Sequence, residues 1–456
     1  MRSDLRLAWL LIRGSDRHEW WRIALTAVGA LCATGLGLAA AALASLRGHF
    51  SVSVGDGLLD NPGERSGVIV VLLLLLVPVL GFLGQCARIG AVRRDRRAAA
   101  LLLAGAGPGQ VRRIAALETG LACLLGSALA TAVAVTVLLG AWQSPPALAW
   151  AGVALVAAGV PVLGTAAGVL ALRRVVASPL GWARRTRPGT GRGPGLLFLG
   201  ALLVVAVAAP VAVASTSSGE SGRPTGTVPL VLFGTVLVVG AGAVLLAGAV
   251  SRLTGRLLAA RTGSASVLIA AERLRDDPWA AARTHAAVLL VTVVGTCFVG
   301  VRQALVADLD APRRRGATGI PPSFYTTGLN LAAAAILVAL VITAAGLAVG
   351  TAESLTTRRR GLAAQVAAGV PRTVLARALL LETALPLAPA VLVAGAGGMA
   401  AGTLYGPVVA EGRLELPVPY AALLVPLGVY AVCLLAAAAS LPLLHRSTHP
   451  AELRYA

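Results

Sequence analysis

Apolar residues fall in long unbroken runs separated by short polar stretches rich in arginine. Neither a period of two nor a one-sided helical stripe describes them. A bilayer core needs about 20 consecutive apolar residues per helix. Ten runs meet that length: 23–46, 67–87, 114–140, 148–172, 196–215, 229–250, 286–306, 328–352, 379–403 and 419–444. The pattern predicts an all-α integral membrane protein of about ten transmembrane helices. The first run follows Arg17-His-Glu-Trp-Trp-Arg22. It is longer than a signal-peptide core and has no cleavage site, so it reads as a true span. Trp20 and Trp21 suit the membrane interface, where amphipathic rings settle.

Composition agrees. Of 456 residues, 57% are hydrophobic and 13% charged, against about 25% charged in soluble chains. This argues against a water-soluble enzyme and excludes a disordered chain. The net charge of +20 raises nucleic acid as a partner. The basic residues, however, lie in clusters between apolar runs, which is membrane topology rather than a DNA-binding face. All 39 basic side chains are arginine. Without lysine there is no P-loop lysine and no Schiff-base chemistry. The connections 1–22, 88–113, 173–195, 251–285, 353–378 and 445–456 hold 31 of the arginines, and the opposite connections hold 7. Arg302, near a span end, can snorkel. The positive-inside rule then predicts a multi-pass protein with both termini in the cytoplasm. The outer connections, about 20 residues at most, are too short to fold as domains.

Cysteine and histidine offer no site. Cys32, Cys86, Cys123, Cys297 and Cys433 all fall in apolar runs with no CxxC, which predicts buried free thiols. His18, His49, His285, His445 and His449 sit at span ends or in loops, without metal-ligand spacing. No metal site is expected, and no catalytic group.

Two arginine-rich connections repeat each other at a constant shift of 264 residues. Arg93 to Arg113 aligns with Arg358 to Arg377. Arg94 meets Arg358, Arg96 meets Arg360, Gly105 meets Gly369, Arg113 meets Arg377, and Leu117-Glu118-Thr119 meets Leu381-Glu382-Thr383. A weaker echo links Arg13–Arg22 to Arg275–Arg283. Spans 1–4 and 7–10 therefore read as two parallel copies of a four-helix unit, with spans 5 and 6 an inserted pair. The corresponding divisions are 1–178, 179–250 and 251–456.

In each copy a Gly-centred break, Gly105 to Gly109 or Gly369 to Pro371, interrupts an Ala/Leu/Arg stretch. Pro108 suits the first position of a helix. The pattern predicts helix, tight turn, helix, held just under the membrane. Its basic face carries an apolar side of Val111, Ile114, Val374 and Leu375. This suits docking into a groove on a cytoplasmic partner, or contact with anionic lipid. Glu118 and Glu382 stand about one turn inside their spans, where acids are expensive to bury. Each is either neutralised by a loop arginine such as Arg113 or Arg377, or a hinge contact that reports partner movement. No other acid lies inside a span, which weakens a proton-coupled carrier. Small residues at four-residue spacing (Gly29, Ala33, Gly37 and Ala41; Gly346 and Gly350; Gly398 and Gly402) permit close helix packing. Pro386 and Pro389 mark a possible kink in the ninth span.

The layout resembles the FtsX-like (MacB-type) permease family of ABC transporters, in its two-unit, ten-span form. The residues carrying the resemblance are Gly105-Ala-Gly-Pro-Gly-Gln-Val111 with Glu118, and Gly369-Val-Pro-Arg-Thr-Val-Leu375 with Glu382. Ala177-Ser-Pro-Leu-Gly181, with Arg184-Arg185, resembles the linker of such proteins. The likeness covers both repeats, roughly two thirds of the chain. It implies a permease subunit, not itself an enzyme, that works with a separately encoded ABC ATPase in two copies. That partner holds the ATP and magnesium, and this chain binds no cofactor. It further implies that Arg93, Arg94, Arg96, Arg97, Gly105, Gln110, Arg112 and Arg113, with Arg358, Arg359, Arg360, Gly369, Arg372 and Arg377, form the coupling segments. The work done is export, or mechanical work at the outer surface. The family's large extracellular domain is missing, which argues against direct capture of a bulky outside substrate. Two other classes remain open: a non-transporting signal transducer acting on an outer partner or sensor kinase, and an ion-coupled secondary transporter.

Overall fold

A computed structural model describes residues 17–46, 59–60, 62–86, 97, 99–141, 145–177, 227–314, 322–409 and 420–447. No strand occurs among them. Twelve helices follow in order: α1 (Arg17–Ser45), α2 (Pro62–Cys86), α3 (Pro108–Ala141), α4 (Ala147–Ala177), α5 (Thr227–Arg261), α6 (Ala265–Asp276), α7 (Pro278–Arg314), α8 (Pro322–Thr357), α9 (Arg359–Ala367), α10 (Arg372–Val409), α11 (Leu424–Ala438) and α12 (Leu441–Ser447). A 3₁₀ turn, Tyr420–Leu423, leads into α11.

Nine membrane-length apolar helical stretches are present among the described residues: Ile23–Ser45, Arg65–Leu83, Gly109–Gly140, Ala147–Ala166, Leu230–Arg261, Thr284–Ala307, Thr326–Thr357, Arg372–Thr403 and Tyr420–Leu444. They coincide with nine of the ten runs read from the sequence. The remaining run, 196–215, lies outside the described residues. The protein is thus an all-α, multi-pass membrane protein. Several helices exceed what a bilayer requires. At 1.5 Å per residue, the 38 residues of α10 measure about 57 Å against a hydrocarbon core of about 30 Å. Their ends therefore stand clear of the membrane. Helix α10 runs unbroken through Pro386 and Pro389.

Two compact units divide the chain: residues 1–47 with 72–218, and residues 48–71 with 219–456. In the first, α1, α3 and α4 pack on one another. The C-terminal half of α2 meets α1 where Gly29 lies against Phe82 and Leu83. Ala30, Leu83 and Cys123 form a buried cluster there. Helices α1 and α3 come so close at Gly126 that a Cβ would collide with the Ala27 carbonyl. The sequence stripe on α1 is used as expected, since Gly37 faces Val156 and Ala41 faces Gly152, both on α4.

In the second unit, α7 and α10 form the central pair and α5 packs on both. Helix α5, the sixth apolar run, thus belongs to the body of this unit. Gly398 lies against Thr296 and the Val293 carbonyl of α7, and Gly402 lies 2.9 Å (measured from its would-be Cβ) from the Cys297 carbonyl. Lipid tails are as apolar as the side chains, so no hydrophobic gain drives helices together, and van der Waals packing through such close backbone approach contributes to their association. Helices α8 and α11 complete the unit around this pair. All five cysteines are free thiols, Cys32 half-buried and the other four buried.

Candidate coupling site

The two duplicated connections fold into the same turn. Before the first, residues 99–103 are helical. That helix ends at Gly105 with φ +92°, and α9 ends at Gly369 with φ +90°. A left-handed residue at this place turns the chain back and satisfies the last carbonyls of the helix. The backbone bonds match one for one. Gly105 N–H donates to Leu102 O at 3.1 Å and Ala106 N–H to Leu101 O at 2.9 Å. At the shift of 264, Gly369 N–H donates to Val366 O at 2.9 Å and Val370 N–H to Gln365 O at 3.0 Å. The following helices open alike. Gln110 and Val111 donate to Gly107 O at 2.9 and 3.2 Å, and Val374 and Leu375 donate to Pro371 O at 3.0 and 3.3 Å. The repeat is therefore one of backbone geometry as well as of residue type.

Burial is matched too. Val111 and Leu375 are each 2% exposed. Thr119 and Thr383 are buried beside their glutamates. Val111, Ile114 and Leu375 thus face inward, which corrects the expectation that the apolar side is presented to a partner. The exposed surface is formed by the turn tips and the arginines. Leu103, Gly105, Gly107, Gly109, Arg112 and Arg113 are exposed in the first turn. In the second, Arg360, Gly369, Pro371, Arg372, Thr373 and Arg377 are exposed. Arg113 Nε donates to Gly109 O at 3.3 Å, holding that guanidinium back along its own helix.

Glu382 is the best-tied polar group of the second turn. Arg358 Nη1, at the junction of α8 and α9, donates to Glu382 Oε1 at 2.8 Å and to Oε2 at 3.1 Å. Arg273 Nη1, on α6, donates to Oε2 at 3.0 Å. One carboxylate on α10 therefore joins the connection before α7 to the connection before α10. Its neutralising partners are Arg358 and Arg273, whereas Arg377 is exposed. Glu118, the equivalent acid in the first unit, is 8% exposed on α3.

Beneath this ion cluster lies a small apolar core. Leu355, Leu362, Leu375, Leu379 and Leu444 are buried together, and Ile269, Val366 and Val370 pack against them. It gathers the end of α8, the short α9, the start of α10, the α6 helix and the C-terminal α12 into one packed base. The α9–α10 turn is consequently fixed to the spans by packing as well as by charge.

The remaining predicted residues divide plainly. Arg93, Arg94 and Arg96 lie outside the described residues. Arg97 is helical and half-buried, as are Gln110 and Arg359, and Arg358, the turn residue between α8 and α9, is half-buried too. Residues that the sequence reading did not single out are Arg273 and the whole of α6, which was counted as part of a basic loop. The signal was present: Ser266, Ala270, Ala271 and Leu274 are its buried positions, a helical spacing within a polar stretch. Among the described residues no group of His, Cys, Asp or Glu is placed to hold a metal ion. Comparison with family models, with characterised proteins and with solved structures finds no match to this chain.

Proposed function

We propose that this chain is the transmembrane subunit of an ABC-type, FtsX-like complex, driven by a separate ATPase that docks on the two Gly turns. Two parallel four-helix repeats with an inserted helix pair would carry the motion to the outer surface, for export or for mechanical work there. The observation that carries this reading is the duplication of one exposed basic turn with the same hydrogen bonds 264 residues apart. A loop that merely retains positive charge on one side of the membrane requires arginines only. It does not require a repeated left-handed glycine, a repeated buried apolar anchor, or a carboxylate fixing the turn to its span. Two equivalent docking points suit two copies of an ATPase.

The test is purification from native membranes in mild detergent, with co-purifying proteins identified by mass spectrometry. A stoichiometric P-loop ATPase is expected. Its absence, under conditions that preserve a known ABC complex, overturns the proposal. Reversing Arg112 and Arg113 to Glu should weaken ATPase capture while membrane insertion stays intact. Unchanged co-purification would remove the first turn from the docking role.

A further inference from the structure

We propose that the end of α5 nearest α6 is a binding site for an anionic phospholipid headgroup, held by Arg252 and Arg256. One side of α5 is packed: Phe233, Ala243, Ala247 and Ser251 are buried, and Gly255 lies 3.0 Å from the Ala271 carbonyl of α6 (from its would-be Cβ). The other side is exposed and apolar, as a lipid-facing side of a span is. Val231, Val238 and Leu245 are 55%, 73% and 60% exposed at seven-residue intervals, a spacing that returns to the same helix face. The next step along that stripe is Arg252, and Arg256 follows one turn later. Both are exposed, and neither forms an ion pair among the described residues.

Depth sets their level. A helix entering the hydrocarbon core near Leu230 leaves it after about 20 residues, near position 250. Arg252 and Arg256 then stand about 3–9 Å beyond the core, where lipid phosphates lie. Leu253 and Leu257 are exposed beside them. Glu272 of α6 is paired with Arg275 at 2.6 Å. A soluble partner would have to enter the headgroup layer to reach a lipid-facing stripe, whereas a lipid phosphate is there already. Guanidinium forks match phosphate oxygens in charge and geometry.

The test uses the full chain in nanodiscs with photoactivatable phosphatidylglycerol or phosphatidylcholine, the labelled peptides being mapped by mass spectrometry. Phosphatidylglycerol is expected to label residues 245–261 preferentially. The double variant R252Q/R256Q is expected to reduce that preference roughly thirtyfold, the factor for two surface arginines. Labelling elsewhere should be unchanged, and R252K/R256K should retain it. Equal labelling by both lipids, indifference to the double glutamine variant, or no labelling by either lipid overturns the proposal. Competition by millimolar inorganic phosphate would identify a free anion site and overturn it equally. The proposal does not depend on an ATPase partner.

Discussion

The three-way contact at Glu382 allows the two arginines to be ranked before any measurement. By contact geometry alone Arg358 should dominate, since it reaches both carboxylate oxygens, at 2.8 and 3.1 Å, against one bond of 3.0 Å from Arg273. Exposure points the other way. The Arg358 side chain is 40% exposed, Arg273 19% and Glu382 22%. Ion pairs open to solvent contribute about 0–1 kcal/mol, while hydrogen bonds to charged groups away from solvent contribute about 1.5–3 kcal/mol. Screening should outweigh the extra contact. We therefore expect a coupling of about 1.5 kcal/mol for Arg273 with Glu382, and about 0.5 kcal/mol for Arg358 with Glu382.

The perturbation is a pair of double-mutant cycles built from R273Q, R358Q and E382Q, read by thermal unfolding in detergent. At about 2–4 °C per kcal/mol for a unit of this size, R273Q should lower the midpoint by about 4 °C and R358Q by about 1–2 °C. In the E382Q background R273Q should have little further effect, because its acceptor charge is already gone. Two results refute the reasoning. If R358Q is the more damaging, bond geometry rather than solvent screening governs the cluster. If R273Q is equally damaging with and without the Glu382 charge, the long arginine acts through the packing of its stem.

Other expectations follow from single contacts. Gly398→Ala places a methyl group against Thr296 and the Val293 carbonyl, and overpacking of this kind should destabilise by about 1–3 kcal/mol. Gly428→Ala on α11 meets nothing within 4 Å and should be neutral or stabilising by up to about 1 kcal/mol; thermal unfolding of both variants checks the contrast. Gly105→Ala and Gly369→Ala each meet open space, so only the left-handed backbone opposes them, at about 1–2 kcal/mol. Asn at either position should recover part of that loss in the same assay. Leu444→Ala removes one wall of the apolar base under the second turn. It should cost about 2–3 kcal/mol and raise hydrogen exchange in α9 before it does so in α7.

What the sequence discloses here depends on how local each cause is. A span of 20 apolar residues is legible because lipid imposes one requirement on every position. The turns at Gly105 and Gly369 are legible because a left-handed residue followed by a helix start needs only five or six consecutive residues. Of the two arginines that tie Glu382, Arg273 is not legible, since it lies 109 residues away and any of several nearby arginines satisfies the same charge argument. Helix α6 was concealed for a related reason. Counting its arginines as topology signals hides the buried Ala270, Ala271 and Leu274 beside them. The pair Gly398 and Gly402 was visible as a small-residue stripe, but nothing local names Thr296 and Cys297 of α7 as what it touches.

The same distinction separates the two arginine groups of the second unit by task. For the coupling role proposed above the turn must be rigid, or the force is absorbed by local bending. The α9–α10 turn has three restraints: a closed pattern of backbone bonds at Gly369, the Leu355–Leu444 core, and the Glu382 ion cluster. Arg358 belongs to these restraints and is partly withdrawn from any partner. Arg372 and Arg377 are exposed on the opening turns of α10. Reversing Arg358 to Glu should thus disturb the fold of the unit, placing an acid against Glu382. Reversing Arg372 and Arg377 should leave the unfolding midpoint within about 1 °C, since exposed charges contribute little to stability, and act only on what binds there. Equal loss of stability in both variants would mean that the second turn has no surface set apart for a partner.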